Sequence, residues 1–151
     1  MSTYSFSESE LRSYFINSIV SRDDLNVFTE VPVFCRSVDL VIQEQNTSLL
    51  TAIEFKLHDW KRAIAQAKDV GLCFDYLCIC LPKPKTPATV DNILNLCNQI
   101  GIGLILFDIT THTFTMHVEP KRTSDIWERE RRRIVDFLEA KQHEGSAIKN
   151  S

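Results

Sequence analysis

The sequence predicts an α/β fold in which a mixed central β-sheet is flanked by helices. Three observations carry this reading. Apolar runs short enough for strands alternate with longer segments of helical period. The first three strand-like runs follow one another closely, as in an antiparallel meander. After them the order becomes helix, strand, helix, strand, which favours parallel pairing through crossovers.

Taken in order, Ser7-Glu8-Ser9-Glu10 has capping-box spacing, with Leu11, Phe15 and Ile19 following at helical intervals and Ser21-Arg22-Asp23-Asp24 ending the helix. NVFTEVPVF reads as a strand, and Pro32 suggests an edge or a bend, because proline donates nothing to a ladder. SVDLVIQ and LLTAIEFK are the next strands, joined by the turn QNTS. HDWKRAIAQAKDV places Trp60, Ile64 and Ala67 on one helical stripe. DYLCICL is continuously apolar, as expected of a strand buried on both faces. PKPKTP leads into a helix around 88–100, then GIGLILFD and TFTMHV are strands, and a long helix runs from about Ser124 to Gln142. One domain over residues 1–142 and a fraying tail over 143–151 are expected, since HEGSAIKNS lacks periodicity.

Bulk composition excludes several classes. The chain has 151 residues, of which 44% are hydrophobic and 25% charged. Such a balance is ordinary for a globular domain. A net charge of −3 argues against a generally basic nucleic-acid coat, though not against a local basic surface. The five cysteines, at 35, 73, 78, 80 and 97, show no C-x-x-C spacing, so reduced, buried thiols are expected. MSTYSFSESE has no signal-peptide pattern. No apolar stretch is long enough for a membrane span, which needs about 20 residues. A cytoplasmic protein without membrane association is expected.

Two acids interrupt strands that should be apolar: Asp39 in SVDLVI and Glu54 in LLTAIEFK. Pairing of these strands through the turn at 45–48 lets both carboxylates reach one end of the sheet. Lys56 follows Glu54 at the next-but-one position and, by strand alternation, shares its face. Converging carboxylates suit Mg²⁺, a hard cation that keeps several waters. A nearby ammonium can orient a water or offset charge on a phosphate.

The pattern resembles the PD-(D/E)xK, or restriction-endonuclease-like, nuclease superfamily. That family has an Asp on the second core strand and Glu-x-Lys on the third, here Asp39, Glu54 and Lys56. The family's core order, αβββαβ, fits residues ~7–81, leaving the later elements as C-terminal additions. Val38 stands where the family name has proline. The resemblance implies metal-dependent phosphodiester hydrolysis, most simply of DNA, with Asp39 and Glu54 holding Mg²⁺ or Mn²⁺. Lys56 would position water or the scissile phosphate, and the Ile53 or Phe55 carbonyl could add a ligand. Glu10 in the first helix and Gln66 in the helix after the third strand match further family positions. Many such nucleases pair to cut two strands, so a homodimer is a natural expectation. The rival expectations are a nuclease-fold module that binds nucleic acid or protein without cutting, or a nuclease subunit that needs a protein targeting partner.

Other polar features have plainer explanations beside functional ones. Glu30 fits an exposed strand face, and Trp60 fits packing better than base stacking. The four histidines do not cluster, and His58 lies nearest the Glu-x-Lys motif. Residues 121–133 hold six Lys/Arg against three acids, so Arg129 and Arg132 could meet phosphates or form a solvated helix face. Lys83 and Lys85 in the PKPKTP loop present the same choice.

Overall fold

The computed structural model describes residues 4–34 and 36–149, with side chains as far as Glu144, so Cys35 and the extreme termini lie outside it. Its elements are α1 (Glu8–Ile19), β1 (Leu25–Val33), β2 (Arg36–Glu44), β3 (Leu50–Phe55), α2 (Trp60–Asp69), β4 (Tyr76–Pro82), α3 (Pro87–Ile100), β5 (Gly103–Asp108), β6 (Thr113–Val118) and α4 (Glu128–Lys149), with a short 3₁₀ turn at Gly71–Cys73. The six strands form one sheet in sequence order. β1, β2 and β3 pair antiparallel, β3, β4 and β5 pair parallel, and β6 returns antiparallel on β5.

Local chemistry accounts for the boundaries. Ser7 and Glu10 form both halves of the capping box that starts α1. Asp59 caps α2 by accepting from the Arg62 amide. Gly101, at φ +90°, ends α3. That left-handed conformation is one a side chain would resist. Pro32 lies on β1, the edge strand, where its missing N–H costs least. Two helix ends differ from expectation. α4 starts at Glu128 rather than Ser124, and it continues to Lys149, past the expected end near Gln142.

Strand alternation divides the core into layers. Leu40, Ile42, Ile53, Phe55, Cys78, Cys80, Ile105 and Phe107 pack with Leu11 and Phe15 of α1 on one face. On the other, α2 and α3 cover Ile79, Leu81, Leu104 and Leu106. Ile134 and Leu138 of α4 extend that layer over Val31, Val41, Leu50 and Ala52. Cys73, Cys78, Cys80 and Cys97 are buried free thiols. Burial raises the pKa of each, so they serve as small apolar fillers. Among the described residues, no helix is long and apolar enough to cross a membrane.

Candidate active site

Three acids lie side by side across the first three strands. The pairs Thr29↔Leu40 and Val31↔Val38 set Asp39 opposite Glu30. One step beyond Leu40↔Ile53, Asp39 stands opposite Glu54. Like charges facing one another across a sheet are unfavourable, so each acid needs its own solution.

Glu30 turns outward. Its backbone is left-handed, with φ 52°. That is a costly state for a residue with a side chain. Its carboxylate pairs with Arg12 and accepts from the Ser37 hydroxyl at 2.9 Å. The Arg12 bond first, and then the Ser37 bond, hold its pKa below the usual carboxylate range. Asp39 turns along the sheet, where its Oδ2 accepts from the Phe55 amide at 2.9 Å. Its own carbonyl accepts from Arg12 at 3.4 Å.

Glu54 is buried instead. It shares the parity of Ala52 in β3 and faces the layer beneath α2 and α4. Only 2% of it is exposed. Its Oε1 is buried with no hydrogen-bond partner, and the closest cation is Arg36 Nη2 at 3.9 Å. Arg36 is itself drawn toward Asp69 of α2 at 3.2 Å. Burial, then the charge of Asp39 and a hydrogen bond with it, push the Glu54 pKa up to about 8, while Arg36 and Lys56 pull the other way. Burial beside Asp39 thus favours the protonated form of Glu54 over the ionised one.

Lys56 lies just past the end of β3, where strict alternation no longer applies. Its amide still bonds the Cys80 carbonyl at 3.1 Å, and its ammonium lies 3.8 Å from Glu8 on α1. Glu8 also accepts from the Leu57 amide at 3.1 Å, tying the start of α1 to the end of β3. A cleft of about 300 Å³ opens here, lined by Glu8, Ser9, Arg12, Glu30, Asp39, Phe55 and Lys56. Glu54 lies outside that lining.

The sequence-based candidates thus separate. Asp39 stands opposite Glu54 across β2 and β3 and shares the cleft with Lys56, whereas Glu54 is buried and does not line it. Glu10 does not join them: it is exposed and spent on the α1 cap, bonding Ser7. The α1 acid at the cleft is Glu8, and Arg12 one turn on is the basic residue beside it. Gln66 is half-buried on α2 with an Oε1 that has no partner. Lys83 and Lys85 follow β4, and Arg129 and Arg132 lie on α4; none of the four lines the cleft. Arg36 and Arg12 had no sequence signal marking them as site residues, because their partners are distant in the chain.

The donor set can be tested against a metal. Among the described residues, no cluster of three or more His, Cys, Asp or Glu side chains is arranged to hold one. What exists is an opposed pair of carboxylates, one with an orphaned buried oxygen. That pair fits a hard divalent cation that retains waters, such as Mg²⁺ or Mn²⁺, and does not fit the saturated N/S sets of structural zinc.

No protein-family model matches the chain, and no curated protein matches its sequence. Among solved structures, it is similar to the SPO1766 protein of unknown function from Silicibacter pomeroyi, with TM-score 0.66 and 13% identity over 97% of this chain and 94% of that one. That likeness extends to the whole architecture and concerns the fold alone. A repair endonuclease from Pyrococcus abyssi aligns at TM-score 0.47 and 16% identity over 72% of this chain and 50% of that one.

Proposed function

We propose that the protein is a metal-dependent nuclease that hydrolyses phosphodiester bonds, most simply those of DNA. The observation that carries this reading is Glu54: a buried carboxylate left without a hydrogen-bond partner at one oxygen, opposed to Asp39, with Lys56 at the same strand end. A fold gains nothing from such a group, since an unsatisfied buried acceptor costs ~1–3 kcal/mol.

Asp39 and Glu54 would hold Mg²⁺ or Mn²⁺. When bound, such an ion supplies Lewis acidity and a more acidic water. The chain's own residues do the rest. Asp39 stays oriented because the Phe55 amide fixes one of its oxygens. Lys56 offers a cation to a phosphate oxygen or to the attacking water, and Glu8 holds it poised at the cleft. Arg12 neutralises Glu30 in the cleft wall and buttresses the Asp39 backbone.

A second reading has its own observation. Glu54 is covered and does not line the cleft, and Arg36 lies beside it. That arrangement suits a module that binds without cutting, or a subunit that opens its site only with a targeting partner. One assay separates the readings. Purified protein is incubated with linear, circular, single-stranded and branched DNA and with RNA, in Mg²⁺, Mn²⁺ or EDTA, beside Asp39→Ala. The nuclease reading expects cleavage that needs metal and vanishes in the variant. No cleavage of any substrate favours the binding module or the partner-dependent subunit.

A further inference from the structure

Consecutive residues from Lys56 onward line two different depressions. Lys56 lines the acidic cleft, whereas Leu57 and His58 line a second hollow of about 360 Å³. That volume is within the ~300–1,000 Å³ typical of small-ligand sites. The second hollow differs in chemistry from the first. Its walls include three rings, Tyr4, His58 and Trp60, with Tyr4 stacked on His58 at 5.2 Å between centroids. Lys85, Thr86 and Thr89 complete the polar side, and none of the described residues lining it is a carboxylate. The Thr86 and Thr89 hydroxyls bond each other at 2.6 Å, and Thr86 makes no side-chain cap to α3. Outside the lining, the Lys61 ammonium lies 5.6 Å from the Trp60 ring.

Aromatic faces beside an ammonium and hydroxyls match one nucleotide: the rings take the base, and the cation and hydroxyls take a phosphate. A larger hollow, about 530 Å³, is lined by Lys68, Lys121 and Arg122, but no ring is among its described lining residues, and Arg122 is 3.5 Å from Asp75. A third hollow, about 390 Å³, has Phe15, Tyr76 and Arg22 in its lining but also Glu44 and Glu119, which would repel a phosphate. The hollow at His58 and Trp60 combines rings and a cation with no acid among its described lining residues. A base inside a duplex is stacked on both faces and cannot enter such a site unless it leaves the helix.

We propose that the hollow between His58, Trp60 and Lys85 binds one unpaired nucleotide of the strand being cut, next to the bond held by Asp39 and Lys56. The protein thus prefers single-stranded or locally unpaired nucleic acid over continuous duplex. This rests on the nuclease reading, and the test keeps the two apart.

The chain has two tryptophans, so Trp127→Phe leaves Trp60 as the sole reporter. In Trp127→Phe combined with Asp39→Ala, a short single-stranded oligonucleotide is titrated against a fully paired duplex closed by hairpins. Trp60 fluorescence and anisotropy of labelled nucleic acid are read together. The inference expects Trp60 to be quenched by the single strand and not by the duplex. Trp60→Ala should weaken single-strand binding by about 5- to 150-fold. Trp60 also packs on the core. For that reason Lys85→Ala, at an exposed position, serves as the second variant. It should weaken binding and lower the slope of log Kd against log salt by about 0.7. Single-strand binding with unchanged Trp60 fluorescence, or equal affinity for closed duplex, overturns the inference. If wild-type protein still cleaves with metal in that case, the nuclease reading stands without it. If it neither cuts nor binds, both fall.

Discussion

Two buried carboxylates in this molecule have opposite surroundings. Asp75, just before β4, and Glu54, near the end of β3, are each 2% exposed. Asp75 is fully partnered: its Oδ2 accepts from the Leu50 amide at 2.8 Å and from two Arg131 nitrogens at 3.1 Å each, and Arg122 approaches at 3.5 Å. It ties β3, β4 and the first turns of α4 together. Glu54 has an oxygen with no partner, a like-charged neighbour and a pKa raised to about 8. The difference separates an acid that belongs to the fold from the one the proposed function takes for chemistry. A structural carboxylate is buried with its cations; Glu54 is buried without enough of them.

The largest effect should come from the structural partner. Asp75→Ala strands a buried amide and most of Arg131's bonds, so denaturant unfolding should show a loss of about 3–5 kcal/mol. A loss below about 1 kcal/mol would erase the contrast between the two acids.

Glu54→Gln should behave in the opposite way. Its folded-state pKa is above the ordinary 4.5, so the folded state holds the extra proton between about pH 4.5 and 8. The protonated form's contribution is complete below about 4.5 and is lost as pH rises through 8. In EDTA, wild-type melting temperature should therefore fall across that window, by the equivalent of a few kcal/mol at most, while Glu54→Gln stays flatter. At pH 8 the variant should be the more stable protein, yet cleave at least ~100-fold more slowly. A wild-type melting profile as flat as the variant's would contradict the unrelieved burial of Glu54.

Lys56→Ala separates stability from activity on a smaller scale. Its ion pair with Glu8 is partly exposed. Unfolding free energy should therefore change by less than ~1 kcal/mol. Cleavage should still fall by at least ~100-fold, read under single-turnover conditions. The smallest effects compare Glu8 with Glu10. Glu10→Ala removes half of the α1 capping box. Denaturant unfolding should register a cost of roughly 1 kcal/mol, the typical worth of a cap. Glu8→Ala should slow cleavage more than Glu10→Ala does, because Glu8 is the acid beside Lys56.

What sequence could and could not reveal follows from the range of the interactions. Asp39 and Glu54 stood out as candidates because a carboxylate inside an apolar strand run breaks a local rule, and their strands do set them opposite each other. The six strands and their order were legible for the same reason, through period and turn chemistry. The choice of Glu8 over Glu10 was not, since both lie in the first turn of α1 and the capping-box spacing singles out Glu10. Arg36 beside Glu54, and Arg131 on Asp75, join residues far apart in the chain that no local pattern connects. The left-handed backbone at Glu30 was equally hidden, because no glycine or turn signal marks the position.

The central claim is that Asp39 and Glu54 form a buried acidic pair, with one Glu54 oxygen left without a partner, that a divalent cation would complete. Calorimetric titration of Mn²⁺ into metal-free protein at pH 8 tests it most directly, with Glu54→Gln and Asp39→Ala in parallel. Saturable binding to the wild type, weakened at least tenfold in each variant, is the expected result. No binding to the wild type, or binding that survives both substitutions unchanged, would contradict it.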